Sequence, residues 1–334
     1  MSKDLKTRLS SVFPNISFDD SHWSKALTGA DDVSVFYIKS MTDYYSQYHE
    51  GDNISFVIVE QNMPICALPL FAYLENGKWG LSSNGSTIIP PLFLKDIPKK
   101  TKKRISKLLH EIICFLSKEL EISSINISEH SSTISDWYLL WLRESTRDSL
   151  CYHFAINLLQ NIEQIKLGFR KSYKPLVSKG FREWDIQISE NNCDDDFEEF
   201  RLLHLEVAGR ETRSIETWKI QKEQIRKKEA FLVTVRDQKK LIGAGFFNYS
   251  RDMGIYSVGA YKRDMFDKPI GHAVQMAAIQ KLKNLGCKIY YLGLMANKFN
   301  REEISKKELS ISYFKEGFAS YVIAQPNLVV SFND

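Results

Sequence analysis

The stretch Tyr261 to Ala273, YKRDMFDKPIGHA, gathers groups that could hold an anion. Lys262, Arg263 and Lys268 bring positive charge, and Pro269 suits the first position of a helix. Backbone N–H groups at a helix start are unpaired and point outward, so such a strand-to-helix turn takes a phosphate well. The plainer reading is an ordinary helix cap with solvated charges. His272 falls in the first turn, where the helix dipole keeps an imidazole neutral and able to deprotonate an amine. A lone histidine is more often structural.

Three other stretches carry chemistry-bearing residues. Phe169 to Gly180, FRKSYKPLVSKG, offers Arg170, Lys171, Ser172, Lys174 and Lys179 to an anionic ligand, with Tyr173 interleaved. Arginine supplies planar bidentate contacts and lysine a point charge. Leu203 to Arg213, LHLEVAGRETR, places His204, Glu206, Arg210 and Glu211 where they could line a cleft. The spacing is too loose for a metal, and no metal is expected anywhere in the chain. In Ser310 to Ser320, SISYFKEGFAS, Phe314 and Phe318 stand one helical turn apart and anchor one face on a core. Lys315 then points elsewhere, and Gly317 lets the chain bend.

These residues need elements to position them. In the first half, SFVIVE (Ser55 to Glu60), ICALPLFAY (Ile65 to Tyr73) and Lys78 to Ser82 read as strands, with Asn76-Gly77 a strong hairpin signal. Helical spacing runs from about Thr101 to Leu120, and ISSINIS (Ile122 to Ser128) is the next strand. The basic run Lys99 to Lys107 reads as the solvated start of that helix. The second half repeats the order with strands at Phe231 to Arg236, Leu241 to Tyr249 and Ile255 to Tyr261. A helix from Pro269 to Leu285 stops at Gly286, and Lys288 to Leu292 is the strand beyond it. Tyr152 to Leu158 leads into this half, two ordinary helices fit between Asp196 and Glu229, and Asn191 to Glu199 is an acidic helix start. The pattern predicts two domains of the same order, 1–150 and 151–334, with all four chemistry-bearing stretches in the second.

Composition bounds the function. A chain of 334 residues with 43% hydrophobic residues can bury two real cores. A net charge of +4 speaks against a dedicated DNA or other nucleic-acid binder and leaves room for a local basic site. Cys66, Cys114, Cys151, Cys193 and Cys287 are scattered and odd in number, as suits a reducing compartment. The start MSKDLKTRLSSVF lacks the apolar run of a signal peptide, and no stretch reaches the ~18 apolar residues of a membrane span. The expectation is a soluble cytoplasmic protein.

The ordered features together resemble the FemABX-like family, built from two tandem GNAT-type domains that transfer aminoacyl or acyl groups to amines. Leu68-Pro69-Leu70 resembles the end of the family's first-domain hairpin, and SNGSTIIPP the glycine-containing stretch after it. Arg170-Lys171-Ser172 resembles the basic element opening the second domain, and LHLEVAGRETR the Leu-His…Arg segment. GHAVQMAAIQKLKNLGCKIYYLG resembles the late helix and strand, and Phe314-Lys315-x-x-Phe318 the terminal signature. Lys268-Pro-Ile-Gly271-His-Ala273 is similar to the pyrophosphate loop of GNAT acyltransferases, with lysine in the first place. The family usually has glycine where this chain has Ala319, and tRNA-using members often carry a paired-helix arm that Asp196 to Glu229 has no room for.

The resemblance implies an α+β fold of two GNAT-like domains with mixed, V-shaped sheets. It implies that Lys315 stabilises the oxyanion formed as an amine attacks an ester or thioester, with Tyr256 and Tyr261 as proton donors to the leaving group. Lys262, Arg263, Lys268 and Gly271 would hold the donor, and Arg170, Lys171, Lys174, His204, Arg210 and Phe314 the acceptor. The donor would be acyl-CoA or aminoacyl-tRNA. The acceptor would be an amine on a phosphate-bearing small molecule, a sugar nucleotide or an envelope glycan precursor used in polysaccharide synthesis. The alternatives are a non-catalytic degenerate pair that binds a nucleotide or protein, and an acetyltransferase acting on protein lysines.

Overall fold

Three strand pairs are closed by two-residue turns in which both central residues have positive φ. Asn76-Gly77 (φ 52 and 75) joins the strands Phe71–Glu75 and Lys78–Ser82, as the sequence predicts. Gln61-Asn62 (49 and 63) joins Phe56–Glu60 to Met63–Leu68, and Gln238-Lys239 (47 and 71) joins Ala230–Asp237 to Lys240–Tyr249. Such turns match the right-handed twist of the strands they connect. The last two adopt them without glycine, so side-chain-bearing residues take on left-handed strain to keep the register.

The computed structural model describes residues 2–130, 133–191, 194–297 and 304–332, omitting the side chains of Ser2 and Lys3. Cys193 lies outside the described residues. By contact the chain forms two compact units, Met1–Cys151 with Gln325–Asp334, and Tyr152–Ala324.

In the first unit the helix Lys99–Glu119 buries Ile105, Leu109, Ile112, Ile113 and Leu116 completely. They pack with Ile125 and Ile127 of the strand Ser124–Ser128, with Trp137 and Trp141 of the helix Asp136–Leu142, and with Leu328 and Val330. Leu328 pairs with Ile127 and Val330 with Ile125, so residues 327–331 complete this core. The sequence reads Ile65 to Tyr73 as one strand, and that is corrected. Met63–Leu68 pairs with Phe56–Glu60 and Leu92–Phe93, whereas Phe71–Glu75 pairs with Lys78–Ser82 and Asp52–Asn53 in another sheet. Pro69 at the switch has no N–H to give a ladder. Ser83 Oγ donates to its carbonyl at 2.5 Å, and Ser55 Oγ accepts from Leu70 N at 2.9 Å.

In the second unit the sheet order is Asp185–Ser189, Ala230–Asp237, Lys240–Tyr249, Met253–Tyr261, Ile289–Leu294 and then residues 153–157 of the strand Ser145–Asn157. Only the Met253–Tyr261 and Ile289–Leu294 pair is parallel, within an otherwise antiparallel run. Alternation splits Ala230–Asp237 cleanly. Phe231, Val233 and Val235 face the helices Ile270–Asn284 and Tyr173–Glu183, while Leu232 faces Asp194–Ala208 and Ile215–Arg226. The second helix pair fills the span in which the sequence predicts two ordinary helices. Gly286, at φ 84, ends Ile270–Asn284 as expected.

Replacing Lys239 by glycine should relieve the left-handed strain at φ 71. The net gain, after the entropy cost of glycine, is roughly 0.5–1 kcal/mol. Urea unfolding of Lys239→Gly measures it, and an unchanged midpoint would show the turn to be relaxed already.

Candidate active site

The parallel strands Met253–Tyr261 and Ile289–Leu294 share three paired positions: Met253 with Ile289, Gly254 with Tyr290 and Ile255 with Tyr291. Just beyond, each strand carries one extra residue against its outer neighbour. Ser257 is extra against Phe246 and Phe247, and Leu292 is extra against Phe154 and Ala155. A bulge bends its strand and raises local twist. The two arms part there, and among the described residues no further pair joins them. The result is a fork in the sheet, with an unpaired backbone edge on the Met253–Tyr261 arm.

The same bulge sets the side chains. Tyr256 and Tyr261 are five residues apart, which on a regular strand would send them to opposite faces. The extra Ser257 restores their parity, and their hydroxyls meet at 2.8 Å. Gly259 between them has no room for a side chain, because a Cβ there would lie 1.8 Å from the Tyr256 hydroxyl. Burial pushes the Tyr256 phenol up to about 12, against a smaller pull from Tyr261, and raises Tyr261 well above the ordinary value. Both phenols hold their protons at neutral pH.

Lys315 lies in the last turn of the helix Lys306–Glu316. Its Nζ reaches over Gly293 on the other arm, where an added Cβ would stand 2.9 Å away and where φ is 100. No carboxylate pairs with this ammonium among the described residues. Burial brings its pKa down to about 8, so at pH 7 it is still mostly charged. Beside it is His153, a residue the sequence reading does not single out. Its ring packs on Tyr291 at 4.9 Å, and its Nδ1 is buried without a hydrogen-bond partner among the described residues. Burial, then the Lys315 charge, lowers its pKa to about 4. The available signal was its alternation with the core residues Phe154 and Ile156.

The helix of Lys315 is held from below. Phe318 is 1% exposed and packs on Phe169 and Phe314 at 5.0 and 5.4 Å. Arg170 donates through Nη1 to the Tyr313 carbonyl at 3.1 Å and through Nη2 to Glu316 at 2.9 Å, and its guanidinium lies 3.5 Å from the centre of the Tyr313 ring. The structure thus gives Arg170 a clamping position on the lysine helix. Phe314 comes close to Gly271, where an added Cβ would meet its ring at 3.2 Å and that of Tyr261 at 3.8 Å. Lys315, Phe314, Tyr256, Tyr261 and Gly271 therefore gather around the fork.

The other expected residues are more dispersed. His272 sits in an aromatic cage of Tyr173, Phe314 and Phe318, with ring centres 4.4, 5.2 and 5.8 Å away. Its Nε2 is buried without a partner among the described residues, and burial lowers its pKa to about 4. Pro269 is the N-cap rather than the first helical residue, and no side chain caps the helix. Lys262 precedes a short 3-10 turn, Arg263 donates to the Val207 carbonyl, and Lys268 pairs with Asp267 at 3.1 Å. Lys171 is exposed, and Lys174 lines a cavity of about 350 Å³ with Lys166, Phe169 and Phe181. His204, Arg210 and Glu211 do meet, lining a cavity of about 250 Å³ with Arg201, Arg213 and Trp218. Burial, then Arg213, lowers the His204 pKa to about 4.

Compared with family models and with curated proteins, the sequence finds no match. Solved structures do match in fold. FemX superposes with a TM-score of 0.65 over 93% of this chain and 96% of its own, at 11% identity. The lysylphosphatidylglycerol synthetase structure L-PGS from Bacillus licheniformis gives 0.59 over 95% and 93%, at 11% identity. A tandem GNAT protein from the clavulanic acid biosynthesis pathway gives 0.52 over 95% and 97%, at 11% identity. The chain has the FemABX-like tandem GNAT fold, an α+β architecture with mixed sheets. No helix among the described residues is long and apolar enough to cross a membrane.

His153, His204 and His272 each have a folded pKa of about 4, below the ordinary 6.5. The unfolded chain therefore binds their protons first, and stability is lost as pH falls from 6.5 toward 4. Their imidazole resonances should keep the neutral shift at pH 5.5, where an ordinary histidine is mostly charged. Titration near 6.5 would mean that these rings are open to water.

Proposed function

We propose that this chain is an acyltransferase or aminoacyltransferase that joins a carboxyl group, activated as a thioester or ester, to an amine. The observation that carries this reading is Lys315, a desolvated ammonium without a carboxylate partner among the described residues, beside the fork where two parallel strands part. The likeness of fold to FemX and to the tandem GNAT protein supports it.

In this reading the amine nitrogen attacks the carbonyl carbon within the fork. As the carbon–nitrogen bond forms, negative charge collects on the carbonyl oxygen, and Lys315 stabilises it. A fixed cation in a poorly solvated site is worth far more there than in water. The tetrahedral intermediate collapses with loss of the sulfur or oxygen leaving group, which takes a proton from Tyr256; Tyr261 is hydrogen-bonded to that phenol and resupplies it. The attacking nitrogen gives up one proton, which returns to the tyrosine pair and balances the proton lost to the leaving group. Positioning and charge provide most of the rate, so no protein nucleophile is needed.

The donor is acyl-CoA or aminoacyl-tRNA, and Lys262, Arg263, Lys268 and Gly271 at the start of Ile270–Asn284 are the groups for its phosphates. The acceptor is an amine on a phosphate-bearing sugar nucleotide or glycan precursor, in a cytoplasmic step of envelope synthesis; Lys171 and Lys174 lie on one face of the sheet and His204 and Arg210 on the other, so only one of these pairs can meet it.

Lys315→Met should lose turnover by 100-fold or more while the melting temperature holds or rises, since folding no longer desolvates a charge. In the parent protein the rate should fall above pH 8, where Lys315 loses its proton. A Lys315→Met enzyme with full turnover would sink the mechanism and favour a non-catalytic binding module.

Donor class is read from thermal shift of the purified chain. A ligand at ~100 times its dissociation constant stabilises by about 2.7 kcal/mol. Stabilisation by acetyl-CoA is expected if the donor is a thioester. Stabilisation by an amino-sugar nucleotide without any response to CoA moves the donor to tRNA.

A further inference from the structure

The helix Lys99–Glu119 carries His110 and Cys114 four residues apart, so both side chains lie on one face. Glu144 follows the helix Asp136–Leu142 and comes to the same place, although it is 30 residues beyond Cys114 in sequence. The ligating atoms of all three lie within 4.8 Å of one another. His110 Nε2 is 3.0 Å from a Glu144 carboxylate oxygen. Cys114 Sγ is 3.9 Å from His110 Nδ1 and 4.0 Å from Nε2. All three residues belong to the first unit, whereas the residues assigned to transfer belong to the second.

We propose that His110, Cys114 and Glu144 form a zinc-binding site. With zinc–nitrogen and zinc–oxygen bonds of ~2.0–2.1 Å and a zinc–sulfur bond of ~2.3 Å, the edges of a tetrahedron are roughly 3.3–3.6 Å. The present separations bracket those edges, so an ion replaces the His110–Glu144 hydrogen bond with small side-chain rotations. The donor set selects the metal. One thiolate, one imidazole and one carboxylate suit a borderline ion such as zinc, whereas calcium and magnesium ask for oxygen ligands throughout.

The surroundings fit the assignment. The His110 ring lies 4.3 Å from that of Trp141, which is fully buried and limits the ring's orientations. The Glu144 side chain is 49% exposed and that of His110 19%, which leaves a path in from solvent. Cys114 is half-buried, and burial keeps its thiol protonated in the free chain. Coordination displaces that proton to water as the zinc–sulfur bond forms. Three protein ligands leave a fourth position for water. The ion clips the long helix to the segment that starts the strand Ser145–Asn157, reinforcing the weak, partly exposed His110–Glu144 bond.

The test uses cobalt as the spectroscopic stand-in for zinc, added to the full chain after treatment with a chelator. One cobalt per chain should bind and give the near-ultraviolet thiolate-to-cobalt charge-transfer band, and zinc should displace it. Cys114→Ser should abolish the band. Glu144→Gln, at an exposed position that leaves the fold intact, should weaken cobalt binding by at least ~10- to 100-fold. No band at saturating cobalt, or a band and affinity unchanged in Glu144→Gln, overturns the proposal whatever becomes of the Cys114→Ser fold.

Discussion

Two strands that run parallel for three residue pairs and then part set the terms for everything else in the second unit. Each arm is drawn away by its own outer partner, which accommodates one extra residue, Ser257 on one side and Leu292 on the other. A parallel pair that stops midway leaves backbone groups without a ladder, at a cost the hydrogen-bonded outer strands offset. The opening is therefore built from main chain, whose position does not depend on side-chain rotamers. The reactive side chains are secondary to it. The bulge that opens the fork also turns Tyr256 toward Tyr261, so opening and proton-donor pair come from the same irregularity.

Lys315 has the complementary problem. A lysine held out of water, with no carboxylate beside it among the described residues, is unfavourable, and burial lowers its pKa. The helix around it resists relaxation. Phe318 is sunk in the core, Arg170 grips the Tyr313 carbonyl and the Glu316 carboxylate, and Gly293 keeps a space open at the tip of the side chain. Phe314 and Phe318 secure the backbone on either side of the lysine.

Much of this was legible in the sequence. Alternation in FLVTVR and LIGAGFFNY, the Asn76-Gly77 turn and the spacing in the two long helices locate the elements, because each is written by local periodicity. The Phe-Lys-x-x-Phe order marks Lys315 only through the family resemblance, since spacing by itself places no more than Phe314 and Phe318 on one face. What stayed hidden was whatever depends on pairing between distant segments. ICALPLFAY is one continuous apolar run, and nothing in it says that Pro69 hands the chain from one sheet to another. The bulge at Ser257 leaves no trace in IYSVGAY, since only its neighbour strand makes that residue surplus. His153, and the meeting of Glu144 with His110 and Cys114, are likewise products of tertiary placement.

The pairing of residues 327–331 with Ser124–Ser128 bears on how the protein is made. The first unit has most of its sequence ahead of the second, yet Leu328 and Val330 complete its core only after Tyr152–Ala324 has been synthesised. During translation the second unit can close while the first still waits, its Ile125 and Ile127 edge open to other chains. A premature stop or a protease cut just after Ala324 would thus spare the unit that holds the fork and strike the one encoded first.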